Sequence, residues 1–331
     1  MKNLYFGEAF KLITKTMPFI WIRLGSYLVL GLALSLIFGI AGGLSWMLAK
    51  LWAPLGFIIF LVAFGGAFGL MKWASRYYFY LLKAAHTAVM TEIITTGKVP
   101  EGSQVAYGKA QVMNRFRDTS LMFGVDRLVD GVVKAVIRNF ARLADLLPIP
   151  GLDSLMGLVQ RVAVASSTYV DEAILSRAYA RREQNVWKVA QDGVILYAQA
   201  WKPILTNAVV LALLSYVEFV ALIILFALPA LALAFVFPAL KLALGIAVVV
   251  MALMVKLAVS DAFSMAATLL AYHRATEGLA VNAEWKSKLE GVSSKFKELG
   301  QKAATAVTPA AYSMVNTGTN GEAKIAPVSG S

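Results

Sequence analysis

The sequence predicts an all-α polytopic membrane protein with two transmembrane helical hairpins and a central amphipathic, partly embedded helical region. Three observations predict it. Two apolar blocks, residues 24–71 and 205–271, each hold enough residues for two crossings of a hydrocarbon core roughly 30 Å thick, at about 20 residues per crossing and about four spans in all. Apolar residues make up 59% of the chain and charged residues only 15%, with a mean hydropathy of +0.68, a balance well above the globular norm. Each block breaks near its middle, at Lys50, Trp52 and Pro54 in the first and at Pro229, Pro238 and Lys241 in the second.

Taken in order, residues 1–23 read as an amphipathic N-terminus. The apolar run after Arg23 is too long for a signal-peptide core, so it is expected to remain as an anchor. Residues 24–96 form the first hairpin and its extension. Gly31, Ser35, Gly39 and Gly43 recur at four-residue intervals, and Gly65 and Gly69 repeat the spacing. Small residues so placed let helices approach closely, either within the hairpin or at a mobile interface. Trp46 and Trp52 at one end, with Trp73, Tyr77, Tyr78 and Tyr80 at the other, match the aromatic belts of membrane surfaces.

Residues 97–202 are helical in pattern but poor spans. Across 121–147, Asp126, Asp130, Lys134, Arg138 and Arg142 recur every four residues, while Leu128, Val129, Val132, Val133, Val136, Ile137 and Phe140 fill the other faces. This is a wide apolar surface with a narrow polar stripe, and Asp130 and Lys134 have ion-pair spacing. Such a helix lies either on the membrane surface with its stripe toward water, or embedded with the stripe lining a wet cavity. A break follows at 147–151, with Asp153 as the next N-cap, and residues 155–165 are long enough to dip into the membrane but not to cross it.

Residues 203–273 form the second hairpin. Residues 274–302 carry Trp285, Leu289, Val292, Phe296 and Leu299 at helical intervals with lysines between, the pattern of a basic helix lying on a leaflet or docking a partner. Residues 303–331 are too poor in apolar side chains to bury a core, so a disordered tail is expected.

Lysine and arginine flank both blocks on their outer ends, while the hairpin tips offer only Lys50 and Lys241. By the positive-inside rule both termini and the central region are cytoplasmic, as in a bacterial inner-membrane protein. The net charge of +12 then answers to orientation and anionic headgroups, so membrane lipids are the expected partners and nucleic acid is not. The hairpins also hint at duplication. Pro18 and Pro203 open them, each after an amphipathic stretch, and the chain's two histidines, His86 and His273, close them. A parallel repeat of this kind is a known transporter plan.

Charge inside the second block is the leading site signal. Counted at 1.5 Å per residue, Glu218 sits roughly 22 Å in from Pro203 and Lys256 roughly 25 Å in from His273. A lone charge in hydrocarbon costs several kcal/mol, so the two are expected to pair across the hairpin. Ser260, Asp261 and Ser264 extend the polar line. The candidate substrate or ion path is therefore Glu218, Lys256, Asp261 and Ser260, joined by Asp130, Lys134 and Arg138. The two histidines lack a carboxylate at helical spacing and read as interfacial helix ends.

The stretch 112–124, Val-Met-Asn-Arg-Phe-Arg-Asp-Thr-Ser-Leu-Met-Phe-Gly, resembles the choline transporter-like family, in which an Arg-containing amphipathic helix leads into a Ser-Leu-x-Phe-Gly membrane helix. The order that follows through Asn207 and the 260–265 segment is similar, over residues 100–300 at most. Asp126, Arg127 and Asp130 depart from that family's apolar helix, and its large extracellular loop and cysteines are missing. The resemblance implies a transport role for a small organic cation. Cysteine is absent, and no Ser-His-Asp arrangement, metal-ligand cluster or P-loop is present, so no enzyme, cofactor or metal is expected. The leading function is a transporter or pore-like protein, and the alternative is a non-transporting scaffold or lipid-interacting protein that shapes or senses the cytoplasmic leaflet. The glycine stripes leave room for a homo-oligomer.

Overall fold

A computed structural model of the protein describes residues 4–116, 119–140, 164, 167–238 and 241–305. Arg142, the 147–151 break, Asp153, the 155–165 segment apart from Val164, and residues 306–331 of the tail lie outside the described residues. Thirteen α-helices are described, with no strand among the described residues: α1 (Phe6–Lys15), α2 (Met17–Ala49), α3 (Ala53–Trp73), α4 (Tyr80–Thr96), α5 (Gln104–Arg115), α6 (Thr119–Phe140), α7 (Ser167–Ala180), α8 (Val186–Gln199), α9 (Trp201–Val236), α10 (Lys241–Val255), α11 (Asp261–Thr276), α12 (Ala283–Val292) and α13 (Ser294–Thr305). Two π-helical segments, Ala74–Phe79 and Lys256–Ser260, join α3 to α4 and α10 to α11.

Four helices are long and apolar enough to span a membrane: Met17–Ala49, Ala53–Thr96, Trp201–Val236 and Ala243–Thr276. The protein is an integral membrane protein built on two hairpins, α2 with α3 and α9 with α10. Each hairpin helix is longer than a crossing requires, and its pattern of burial divides it in two. Large apolar side chains are exposed from Leu28 to Met71 and from Leu214 to Leu253, where only lipid or another membrane surface can cover them. At the feet the same helices are packed in protein: Phe19, Ile20 and Arg23 of α2, Ile204 to Ala212 of α9, nearly all of α4 between Leu82 and Ile93, and Ala262 to Tyr272 of α11.

Those feet form one helical domain with the remaining helices. Helix α1 lies on α11, α4 on α5 and α7, and α7 on α8 and α11. Helix α6 is its apolar centre. Its Val125, Val129, Val132, Val133, Val136 and Ile137 are buried against α7, α8 and α13. The apolar face expected on or in the membrane is thus satisfied by protein. The same holds for the C-terminal segment expected on a leaflet. It breaks at Ser293 into two helices, and α13 packs on α8 and α6 with Leu289, Phe296 and Leu299 buried in the core. At roughly 1.5–3 kcal/mol for each large apolar side chain removed from water, intramolecular packing outcompetes a wet interface. The histidines likewise sit in the domain. His86 stacks on Phe19 at 4.6 Å and bonds the Thr16 hydroxyl at 2.9 Å, and His273 bonds the Ser176 hydroxyl at 2.7 Å.

The glycine stripe does not close the first hairpin. A Cβ added at Gly39, Gly43, Gly65 or Gly69 would meet nothing within 4 Å, and one at Gly31 would meet only the Met254 sulfur at 4.0 Å. Ser35 is exposed and returns its hydroxyl to Gly31 O at 2.8 Å. Close packing occurs at the tip instead. A Cβ on Gly56 would lie 2.5 Å from Ser45 O and 2.8 Å from Ala49 Cβ, and the Ser45 hydroxyl donates to Gly56 O at 2.6 Å.

Local geometry repeats between the halves. Thr16, between α1 and α2, has φ −113° and ψ 26°; Ala200, between α8 and α9, has φ −113° and ψ 27°. Each N–H donates to the carbonyls three and four residues back, Ile13 and Leu12 in one case and Tyr197 and Leu196 in the other. Proline follows in the first turn of each long helix, where its missing N–H is no loss. The surroundings differ, because α1 packs on α11 whereas α8 packs on α13.

Candidate functional site at the membrane–domain junction

Both π segments lie where the hairpins leave the domain, and they organise the polar groups. On an α-helix, residues five apart are about 140° apart around the axis. A π turn bonds i to i+5 and brings them to one side. Lys256 Nζ thereby donates to Asp261 Oδ1 at 3.0 Å, and the Tyr169 hydroxyl of α7 donates to the same oxygen at 3.2 Å. Glu218 accepts the Ser260 hydroxyl at 2.5 Å across the hairpin.

This corrects the pairing expected from the sequence. Glu218 and Lys256 sit at matched levels but take different partners, Ser260 and Asp261. The depth count also started from the wrong place. Pro203 and His273 lie within the helical domain, so Glu218 and Lys256 are at the junction, and α9 still has roughly 20 residues beyond it for a crossing. Asp130 and Lys134 pair at 2.8 Å as their spacing predicts, and Ser167 Oγ donates to Asp130 at 3.3 Å. Arg138 is exposed and forms no ion pair among the described residues. The path residues thus fall into two groups, one at the junction and one on α6.

Between the hairpin feet is a cavity of about 340 Å³. Arg23 and Tyr27 of α2 form one wall. Ser75, Phe79, Tyr80 and Lys83, from the first π segment and α4, form a second, and Leu257, Asp261 and Tyr169 complete it. Tyr27 stacks on Phe79 at 4.2 Å, and Ser26 bonds the Tyr78 hydroxyl at 2.7 Å, clasping α2 to the π segment. Trp21, Trp73, Tyr77, Tyr78 and Tyr216 are exposed around this level, an amphipathic girdle suited to a headgroup layer.

The cavity's charges are unevenly satisfied. Asp261 has Lys256, and Lys83 Nζ bonds Glu172 Oε1 at 2.8 Å. Arg23 is 6% exposed, no carboxylate among the described residues lies within ion-pair distance, and its Nη2 is buried without a hydrogen-bond partner. Behind Lys83, Asp171 and Glu172 are 5% and 6% exposed, and the Glu172 N–H donates to Asp171 Oδ1 at 2.7 Å. Burial pushes the Asp126 carboxyl up to about 7, with the neighbouring Glu172 and Asp130 charges adding to the effect and Lys83 and the Tyr80 hydroxyl opposing it. Burial pushes Asp171 well above the usual carboxylate range, with Asp126 and Glu172 next in weight.

Arg23, Lys83, Asp171 and Glu172 are not singled out by their spacing. Arg23 and Lys83 read as flanking topology charges. The available signal was that each is framed by apolar neighbours, Ile22 and Leu24 around Arg23, and Val170 and Ala173 around the acid pair.

No family model, no curated protein and no solved structure matches this chain.

Proposed function

We propose that the protein is a lipid-interacting membrane protein whose helical domain is held against the cytoplasmic leaflet. The observation that carries this reading is the polar cavity where the two hairpins enter the domain, ringed by exposed Trp and Tyr at headgroup level. The amphipathic helices expected on the leaflet pack into the domain's own core, which leaves the junction as the surface that meets the headgroups.

Transport of a small organic cation, implied by the resemblance to the choline transporter-like family, has some support in the aromatic walls of the cavity. The charges oppose it. Asp261 is already paired with Lys256 and Lys83 with Glu172, so a cation entering would meet Arg23, which has no ion pair among the described residues. Beyond the junction, residues 219–255 carry a single charge, Lys241 at the tip, and residues 24–71 only Lys50. The ionisable groups therefore stop at one face of the membrane.

Reconstitution into vesicles tests the reading. Flux of small cations is expected to stay at the level of protein-free vesicles, and thermal stability to rise with the anionic lipid fraction. Flux above that level, removed by Glu218→Gln, would establish transport instead.

A further inference from the structure

We infer that the junction cavity binds a phosphate ester through Arg23. The inference rests on the lipid-interacting reading and specifies its ligand chemistry. Arginine stays protonated in any protein environment, so a buried guanidinium cannot escape its desolvation cost by neutralising, as a buried carboxyl does. Leaving such a charge unpaired is strongly destabilising. Asp261 and Glu172 attract it from a distance and offset part of that cost, but neither forms an ion pair with it, since Asp261 is held by Lys256 and Glu172 by Lys83. An anion in the cavity does.

The shape of the donor set selects the anion. A guanidinium presents a planar fork that matches two oxygens of one phosphate, with specificity a single ammonium lacks. Lys83 lines the same cavity as a further N–H donor, its charge shared with Glu172. The Tyr27 hydroxyl makes no hydrogen bond among the described residues, so it is a further donor on the wall that carries Arg23. The stacked Tyr27 and Phe79 rings give the apolar part of an ester a surface. A volume of about 340 Å³ holds a headgroup-sized molecule but not two acyl chains. The exposed Ser75 sits on the rim.

The phosphate has two sources, the headgroup of an anionic phospholipid or a soluble phosphate ester. The test titrates the full-length protein in neutral detergent micelles with phosphatidylglycerol in one arm and glycerol 3-phosphate in the other, reading the shift in melting temperature. A saturable rise in the lipid arm alone assigns a headgroup, and a rise with glycerol 3-phosphate assigns a soluble ester. Either upholds the inference if Arg23→Gln weakens the apparent Kd by roughly 10- to 100-fold, as expected for losing hydrogen bonds to a charged group. Arg23→Lys keeps the charge without the fork and should fall between the two. A shift unchanged in Arg23→Gln, or no shift in either arm, overturns the inference.

If Arg23→Gln fails to fold, Ser75→Trp, an exposed rim substitution that blocks entry, decides. A lost shift upholds the site and a retained one overturns it. Failure here leaves no trace in the flux assay, whereas failure of the lipid-interacting reading appears there as flux, so the two are distinguishable.

Discussion

The two hairpins enter the helical domain by the same backbone device and fasten it with different chemistry. Each begins with a short amphipathic helix, turns at a residue of near-identical φ and ψ, and returns through a π segment. The first foot is clasped by uncharged contacts, the Tyr27–Phe79 stack and the Ser26–Tyr78 hydroxyl pair. The second is clasped by charge, Lys256 with Asp261 and Glu218 with Ser260. The difference shows that a π turn at a membrane surface is a chemical blank. It swings side chains onto a common side, and residue type alone decides whether a belt or an ion pair results. It also explains why the unpaired charge belongs to the first foot. Arg23 has no acid of its own hairpin beside it, and the nearest carboxylates are committed elsewhere.

The largest expected effect comes from the Lys83–Glu172 pair that ties the first foot to α7. Lys83→Met leaves Glu172 buried without its cation and is expected to cost about 3–5 kcal/mol, read as a fall in melting temperature in micelles. A neutral outcome would mean that the acid pair is held by the domain and not by the hairpin. Next is the tip of the first hairpin. Gly56→Val forces a side chain into Ser45 and Ala49 and should cost about 1–3 kcal/mol, whereas Gly39→Ala and Gly65→Ala, facing open space, should stay within about 0.5 kcal/mol. Equal effects at the three positions would restore the glycine stripe as the packing surface.

Asp126 sharpens the comparison through pH. Its carboxyl is pushed up to about 7, so between the ordinary value near 4 and 7 the folded state holds a proton that the unfolded chain has released. That contribution to stability is complete below pH 4 and is lost as pH rises toward 7. Asp171, raised in the same direction, adds to it; the facing groups Glu172, Lys83, Asp130 and Tyr80 set its size. Asp126→Asn is expected to flatten the decline in melting temperature across pH 5 to 8. A decline of unchanged steepness would place the proton elsewhere in the cluster. The smallest effects separate the two clasps. Ser260→Ala removes a hydrogen bond to a charged group and should cost about 1.5 kcal/mol, while Tyr78→Phe removes a neutral one and should cost about 0.5 kcal/mol. The reverse order would make the first clasp the stronger.

Much of this architecture was legible in residue order. The two apolar blocks, their breaks near Lys50 and near Pro238, the proline-led starts and the Asp130–Lys134 pair follow from local pattern, whereas Pro229, expected at the second break, lies inside α9. The periodicities of α6 and of the segment from Trp285 to Leu299 were legible too, but what they face was not. An apolar stripe states that a surface must be covered, and lipid, a partner and the rest of the chain all cover it equally well in sequence.

What the sequence by itself determined, then, is the class: four long apolar helices, their approximate ends, and charge collected at one side of them. The tertiary structure decided where each long helix passes from protein packing to exposed apolar surface, because burial of the feet of α4, α9 and α11 by other helices cannot be read from hydropathy. It decided the partners of Glu218 and Lys256, because a π turn shifts register without any proline or glycine in Lys256–Ser260 to announce it. It decided that Arg23, one basic residue among many in the chain, is buried with no ion pair among the described residues. Pairing and depth are properties of distance, and distance between helices far apart in sequence is set only when the core closes.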